Sequence, residues 1–126
     1  MELYLGGYAQ GKLTYVLENR GNVLPVVEGL EGLADYGTED TVIFRAFHNW
    51  FFEELKKGKN PEEEMEDVLL LHNRLLIICD EVGNGIVPCS ALEREYRERL
   101  GRYVCRLAAD SERVERILCG IGQRIK

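Results

Sequence analysis

The residues most able to do chemistry stand near the start of the chain. Gly6-Gly7-Tyr8-Ala9-Gln10-Gly11-Lys12 has the spacing G-x-x-x-x-G-K of a phosphate-cradling loop. Glycines let consecutive backbone N–H groups curl toward one anion. A helix beginning at Lys12 adds the positive end of its dipole, and the Lys12 ammonium reaches the outer phosphates. Gly6, Gly7, Gly11, Lys12 and Thr14 are therefore the candidate nucleotide-binding residues, with Lys12 also a catalytic cation. In such loops the residue after the lysine is Ser or Thr, whose hydroxyl holds Mg²⁺. Here it is Leu13. Thr14 follows, turned away by about 100° along a helix. On the motif alone, a Gly-rich strand-to-helix turn with a purely structural role is the alternative.

A second group follows an apolar run. Leu75 to Cys79 is succeeded by Asp80 and Glu81. Phosphate-loop enzymes place an acid at the end of a neighbouring strand to hold the metal shell. Asp80 is thus the candidate Mg²⁺ ligand and Glu81 a candidate catalytic residue. Acids also end strands simply because the chain meets water. His48, Trp50, Phe51 and Phe52 read as core. Cys79, Cys89, Cys105 and Cys119 show no C-x-x-C spacing and no nearby histidine, which argues against structural zinc.

The positioning elements alternate. Glu2 to Leu5 reads as a strand, Lys12 to Asn19 as a helix, and Val23 to Val27 as an edge strand broken by Pro25. Glu28 to Tyr36 is a helix weakened by Gly29 and Gly32, and Thr41 to Phe44 is a buried strand. Phe47 to Leu55 reads as a buried helix. Asn60-Pro61-Glu62-Glu63 and Ser90-Ala91-Leu92-Glu93 are helix starts of the capping-box kind. Leu75 to Cys79 has the continuous apolar character of a strand buried on both faces. Val114 to Cys119 is the last expected strand and Gly120 to Lys126 an irregular tail. This alternation predicts one α/β domain over residues 1–126, a mainly parallel sheet of about 4–5 strands with helices on both faces.

Composition bounds the partners. The formal net charge of −6 opposes broad contact with a nucleic-acid backbone, while leaving room for one small phosphate ligand. The absence of a long apolar run predicts no membrane span, and the expected location is the cytoplasm.

Several segments together resemble the bifunctional adenosylcobinamide kinase/adenosylcobinamide-phosphate guanylyltransferase family. Glu81-Val82-Gly83-Asn84-Gly85-Ile86-Val87-Pro88 is similar to its E-V-G-x-G-I-V-P motif. Gly6-Gly7 with Gly11-Lys12 resembles its phosphate loop, Val26-Val27-Glu28 its T-V-E-E segment, Phe47 to Leu55 its Trp-bearing helix, and Leu100-Gly101-Arg102 its A-G-R region. The resemblance implies a phosphate-loop α/β fold, ATP or GTP with Mg²⁺ as cofactors, a corrinoid acceptor and a homo-oligomer, typically a trimer. The departures are equally specific. Leu13 and Gln10 replace loop serines, Arg45 stands where the family strand ends in Asp, and Asp80 replaces Asn. The chain between the first helix and Val26 is too short for the helix that carries the family's guanylylated histidine, and neither His48 nor His72 aligns with it. Two readings follow: a nucleotide-binding relative with at most the kinase half-reaction, or a non-catalytic relative serving as a binding or regulatory subunit.

Overall fold

In the computed structural model, residues 1–82 and 90–126 are described, and the Gly83 to Pro88 part of the family-like motif lies outside them. Eleven elements follow in order among the described residues: β1 (Glu2–Gly6), α1 (Lys12–Arg20), β2 (Val26–Val27), α2 (Leu30–Leu33), β3 (Val42–Phe44), α3 (Phe47–Lys56), α4 (Pro61–Leu71), β4 (Leu75–Asp80), α5 (Ala91–Asp110), β5 (Arg113–Leu118) and β6 (Ile121–Arg124).

The strands form one sheet ordered β2-β3-β4-β1-β5-β6. All pairings are parallel except β5–β6. Parallel neighbours need crossover connections, and helices supply them on both faces. One face carries α1, whose Val16 packs with Tyr4, Ile43, Leu76, Ile78 and Ile117. The other face is larger. There Phe47 and Phe51 of α3, Met65 of α4 and Leu100, Tyr103 and Leu107 of α5 cover Leu3, Phe44, Leu75 and Ile77. Leu75 to Cys79 is buried throughout, as expected of a strand with helices above and below.

Two of the sequence-derived elements change in the structure. The expected α-helix over Glu28 to Tyr36 contracts to Leu30–Leu33. Gly32 sits there because an added Cβ would lie 2.8 Å from Val27 Cγ1, so only glycine lets this turn lie against β2. The Gly120 to Lys126 stretch is not an irregular tail, because Ile121–Arg124 pairs with β5 and brings the sheet to six strands. Cys119 and Gly120, at φ 52° and 75°, form the two-residue turn between them, the positive-φ geometry that a tight hairpin requires. No helix among the described residues is long and apolar enough to cross a membrane.

Candidate functional site

In parallel α/β sheets, ligands meet the carboxyl ends of the strands. Here β1, β3 and β4 end side by side and open onto a cleft of about 690 Å³. The loop after β1 forms one wall. Gly6 is sterically required, since a Cβ there would stand 2.5 Å from the Ile117 carbonyl oxygen. Ala9 and Gly11 turn at φ 55° and 82°. The N–H groups of Tyr8, Ala9 and Gly11 have no backbone acceptor among the described residues. At the end of the loop, α1 starts with no side-chain cap and no acid in its first turn. Its leading N–H groups therefore have no capping side chain, and Gly11 to Thr14 line the cleft.

Lys12 is the centre of the site. Its side chain is only 8% exposed, and Nζ donates to the Gly7 carbonyl at 2.6 Å and pairs with Asp80 Oδ1 at 2.7 Å. The pairing follows from register: Gly6 lies beside Asp80 in the β1–β4 ladder, so an acid ending β4 faces a lysine starting α1. The structure thus brings Lys12 and Asp80 together with Thr14, which lines the same cleft from an exposed position.

Glu81 goes elsewhere. Its N–H donates to the Gly6 carbonyl at 2.8 Å, and its carboxylate accepts from Arg116 Nε at 2.9 Å and Nη2 at 3.2 Å. It lines two smaller pockets near Val82 rather than the main cleft. Of the adjacent acids that the sequence offered, Asp80 is the one facing Lys12.

The opposite wall comes from the β3–α3 junction. Arg45 follows β3 immediately, its backbone N–H donating to the Val27 carbonyl at 2.9 Å. Arg45 lines the cleft with its side chain 45% exposed, and Nε stands 3.3 Å from the still more exposed carboxylate of Glu28. Ala46, at φ 53°, then starts α3 with neither a side-chain cap nor an acid in the first turn. His48 is a correction to the sequence reading. Trp50 and Phe51 are core as expected, but His48 turns into the cleft. The Asp80 N–H donates to His48 Nδ1 at 3.1 Å, which leaves the ring proton on Nε2, 3.4 Å from Asp80 Oδ2. Burial holds the imidazole below its usual range; the Asp80 carboxylate opposes this and Lys12 reinforces it. The missed signal was positional: a histidine in the first turn after a parallel strand lies at the ligand edge of the sheet.

Gln10, in the position of a loop serine, has a structural part. Its side-chain oxygen accepts the Cys119 N–H and its backbone carbonyl the Gly120 N–H, both at 2.8 Å. The loop is thereby fastened to the β5–β6 turn. Buried Cys79 is no nucleophile, since burial pushes its thiol up to about 12. Cys105 and Cys119 are exposed and unpaired with any other described cysteine.

The implied Mg²⁺ meets poor donors. Asp80 is the single carboxylate among the described residues lining the cleft, and its two oxygens face Lys12 Nζ and His48 Nε2. The Leu13 side chain offers no oxygen, and Arg45 places positive charge on the opposite wall. Among the described residues no three His, Cys, Asp or Glu side chains are grouped to hold a metal. The donor set does not fit a protein-held divalent ion.

A mainly parallel six-stranded α/β sheet with a lysine-centred cleft at its carboxyl edge defines the class. Residues 31–125 match the cobinamide kinase / cobinamide phosphate guanyltransferase family, and the chain belongs to that family. The loop from Gly6 to Lys12 precedes the matched residues, whereas Arg45, His48 and Asp80 lie within them. Over 53 residues the chain is 42% identical to the bifunctional adenosylcobalamin biosynthesis protein CobU of Salmonella typhimurium, and equally to that of Escherichia coli. That stretch is 42% of this chain and 29% of each relative. In the fold, only residues 21 to 25 separate α1 from β2, and they contain neither helix nor histidine.

Proposed function

We propose that this protein binds the phosphates of ATP or GTP in the cleft at the ends of β1, β3 and β4, as a member of its family with at most the kinase half-reaction. The observation that carries the reading is Lys12: a buried lysine, bonded to Gly7 and Asp80 so that its ammonium stands in the loop that curls toward the cleft. A lysine is rarely buried without a partner, and this one retains an N–H donor for a ligand. Gly6, Gly7 and Gly11 would shape the cradle, Lys12 would hold the outer phosphates, and Thr14 would add a hydroxyl from the first turn of α1. Asp80 would position Lys12. Glu81, held by Arg116, would act from the rim. The acceptor in this reading is a corrinoid and the protein a homo-oligomer, both by family membership.

The test is calorimetric titration with ATP and with GTP. Micromolar to millimolar binding is expected, and Lys12→Ala should weaken it by about a hundredfold or more, the loss of a charge-assisted contact. No heat with either nucleotide, at concentrations up to several millimolar, sinks the proposal.

A second reading, a non-catalytic relative acting as a binding or regulatory subunit, is favoured by one observation: the Asp80 carboxylate is occupied by Lys12. It predicts nucleotide binding without phosphate transfer to adenosylcobinamide. Formation of adenosylcobinamide phosphate by the purified protein decides against it.

A further inference from the structure

We infer that this cleft takes its phosphate ligand without a divalent cation held by the protein, and that Arg45 supplies the second positive charge beside Lys12. The inference rests on the nucleotide reading above and goes beyond it in assigning the charge balance of the site.

A phosphate-loop site ordinarily balances its ligand with one lysine and one Mg²⁺, the metal held by a hydroxyl after the lysine and by a strand-end acid. Both metal contacts are compromised in this chain. Leu13 occupies the hydroxyl position. The strand-end acid, Asp80, is spent on Lys12 at 2.7 Å and faces His48 at 3.4 Å. To take a metal, Asp80 would have to release Lys12. The ammonium would then be buried without its counter-charge and close to a doubly charged ion, a double penalty for a lysine only 8% exposed. Phosphate binding needs no such exchange. Lys12 has three N–H donors; two are used on Gly7 O and Asp80 Oδ1, and the third is left for the ligand.

The missing charge stands on the opposite wall. Arg45 is fixed by its backbone to Val27 and lines the cleft, while its guanidinium pairs, among the described residues, with Glu28 alone, at 3.3 Å and in solvent. Exposed pairs of that kind are weak, whereas an Arg–phosphate contact is charge-assisted and can be bidentate. Moving from Glu28 to a phosphate therefore costs little and gains a stronger partner. The shape of the site is then a clamp, with the loop and Lys12 on one side and Arg45 on the other.

The experiment is a set of calorimetric titrations of the intact protein with ATP and GTP, in excess Mg²⁺ and in EDTA. Dissociation constants that agree within about threefold in the two buffers are expected, along with Arg45→Gln binding about tenfold more weakly in EDTA and Arg45→Lys regaining part of that loss. Arg45 is half-exposed, so unchanged circular dichroism and melting temperature should show that the variants are folded. Binding at least about tenfold tighter in Mg²⁺ overturns the inference while leaving the nucleotide reading intact. Arg45→Gln binding as well as the native protein overturns the assigned role of Arg45. Absence of binding in both buffers removes the nucleotide reading, and this inference with it.

Discussion

Two pairs of helices in this protein begin in opposite ways. α4 and α5 close their own N-termini: Asn60 Oδ1 accepts the Glu63 N–H and Ser90 Oγ accepts the Glu93 N–H, with acids in both first turns. α1 and α3 do neither. They start at Gly11 and Ala46, both left-handed, with no capping side chain and no first-turn acid. The self-capped helices start away from the main cleft, and the uncapped pair start at its walls. Capping is worth about 1 kcal/mol, so leaving two helices uncapped gives up stability. What the protein gains is a cleft where two positive helix ends, Lys12 and Arg45 converge. A self-capped helix has already answered its dipole; an uncapped one leaves that for a ligand.

The contrast can be attacked from either side, and the largest effect should come from closing α1. Leu13→Glu places an acid in its first turn, beside the cradle. Nucleotide affinity should fall by at least about tenfold, measured by calorimetry, through repulsion of the phosphate. Binding unchanged in that variant would mean the ligand does not lie on α1. Opening a capped helix should do the reverse. Asn60→Ala should lower unfolding free energy by about 1 kcal/mol in urea titrations and leave nucleotide affinity where it was. A loss of affinity there would couple α4 to the site and blur the distinction.

The smallest expected effect tests the uncapped α3 through His48. Burial depresses the folded-state imidazole below its ordinary 6.5, so the folded state resists protonation more than the unfolded state does. The resulting stability is fully present above the unfolded value and declines as pH falls below about 6.5 toward the folded value. Native protein should therefore lose more stability than His48→Gln between pH 7.5 and 5.5. Parallel pH profiles for the two proteins would show that His48 carries no such linkage.

Much of this was visible in the chain itself. Asn60 and Ser90 announce their helices because a capping box needs only local residues. Leu75 to Cys79 announces a central strand because a short continuous apolar run bounded by charge is the pattern of a strand buried on both faces. β6 escaped because Ile121-Gly122-Gln123-Arg124 has no alternation of its own. It is a strand because the turn at Cys119 and Gly120 folds it onto β5, and cysteine at a positive-φ turn position gives little warning. The family resemblance reached the right family, yet the site was only partly legible. Lys12 and Asp80 were visible as residue types, but their pairing depends on the β1–β4 register, which no local pattern encodes. His48 and Arg45 were harder still, because their meaning comes from β3 lying next to β4.

The fastening of Gln10 to the Cys119–Gly120 turn has a consequence in time rather than in structure. The Cys119 and Gly120 amides can exchange with solvent deuterium only when the loop lets go of them. Two positions more than a hundred residues downstream therefore act as a clock for the opening of the cradle, readable without any ligand. Because the Cys119 thiol is free and exposed, a probe attached there would sit at the contact that opens.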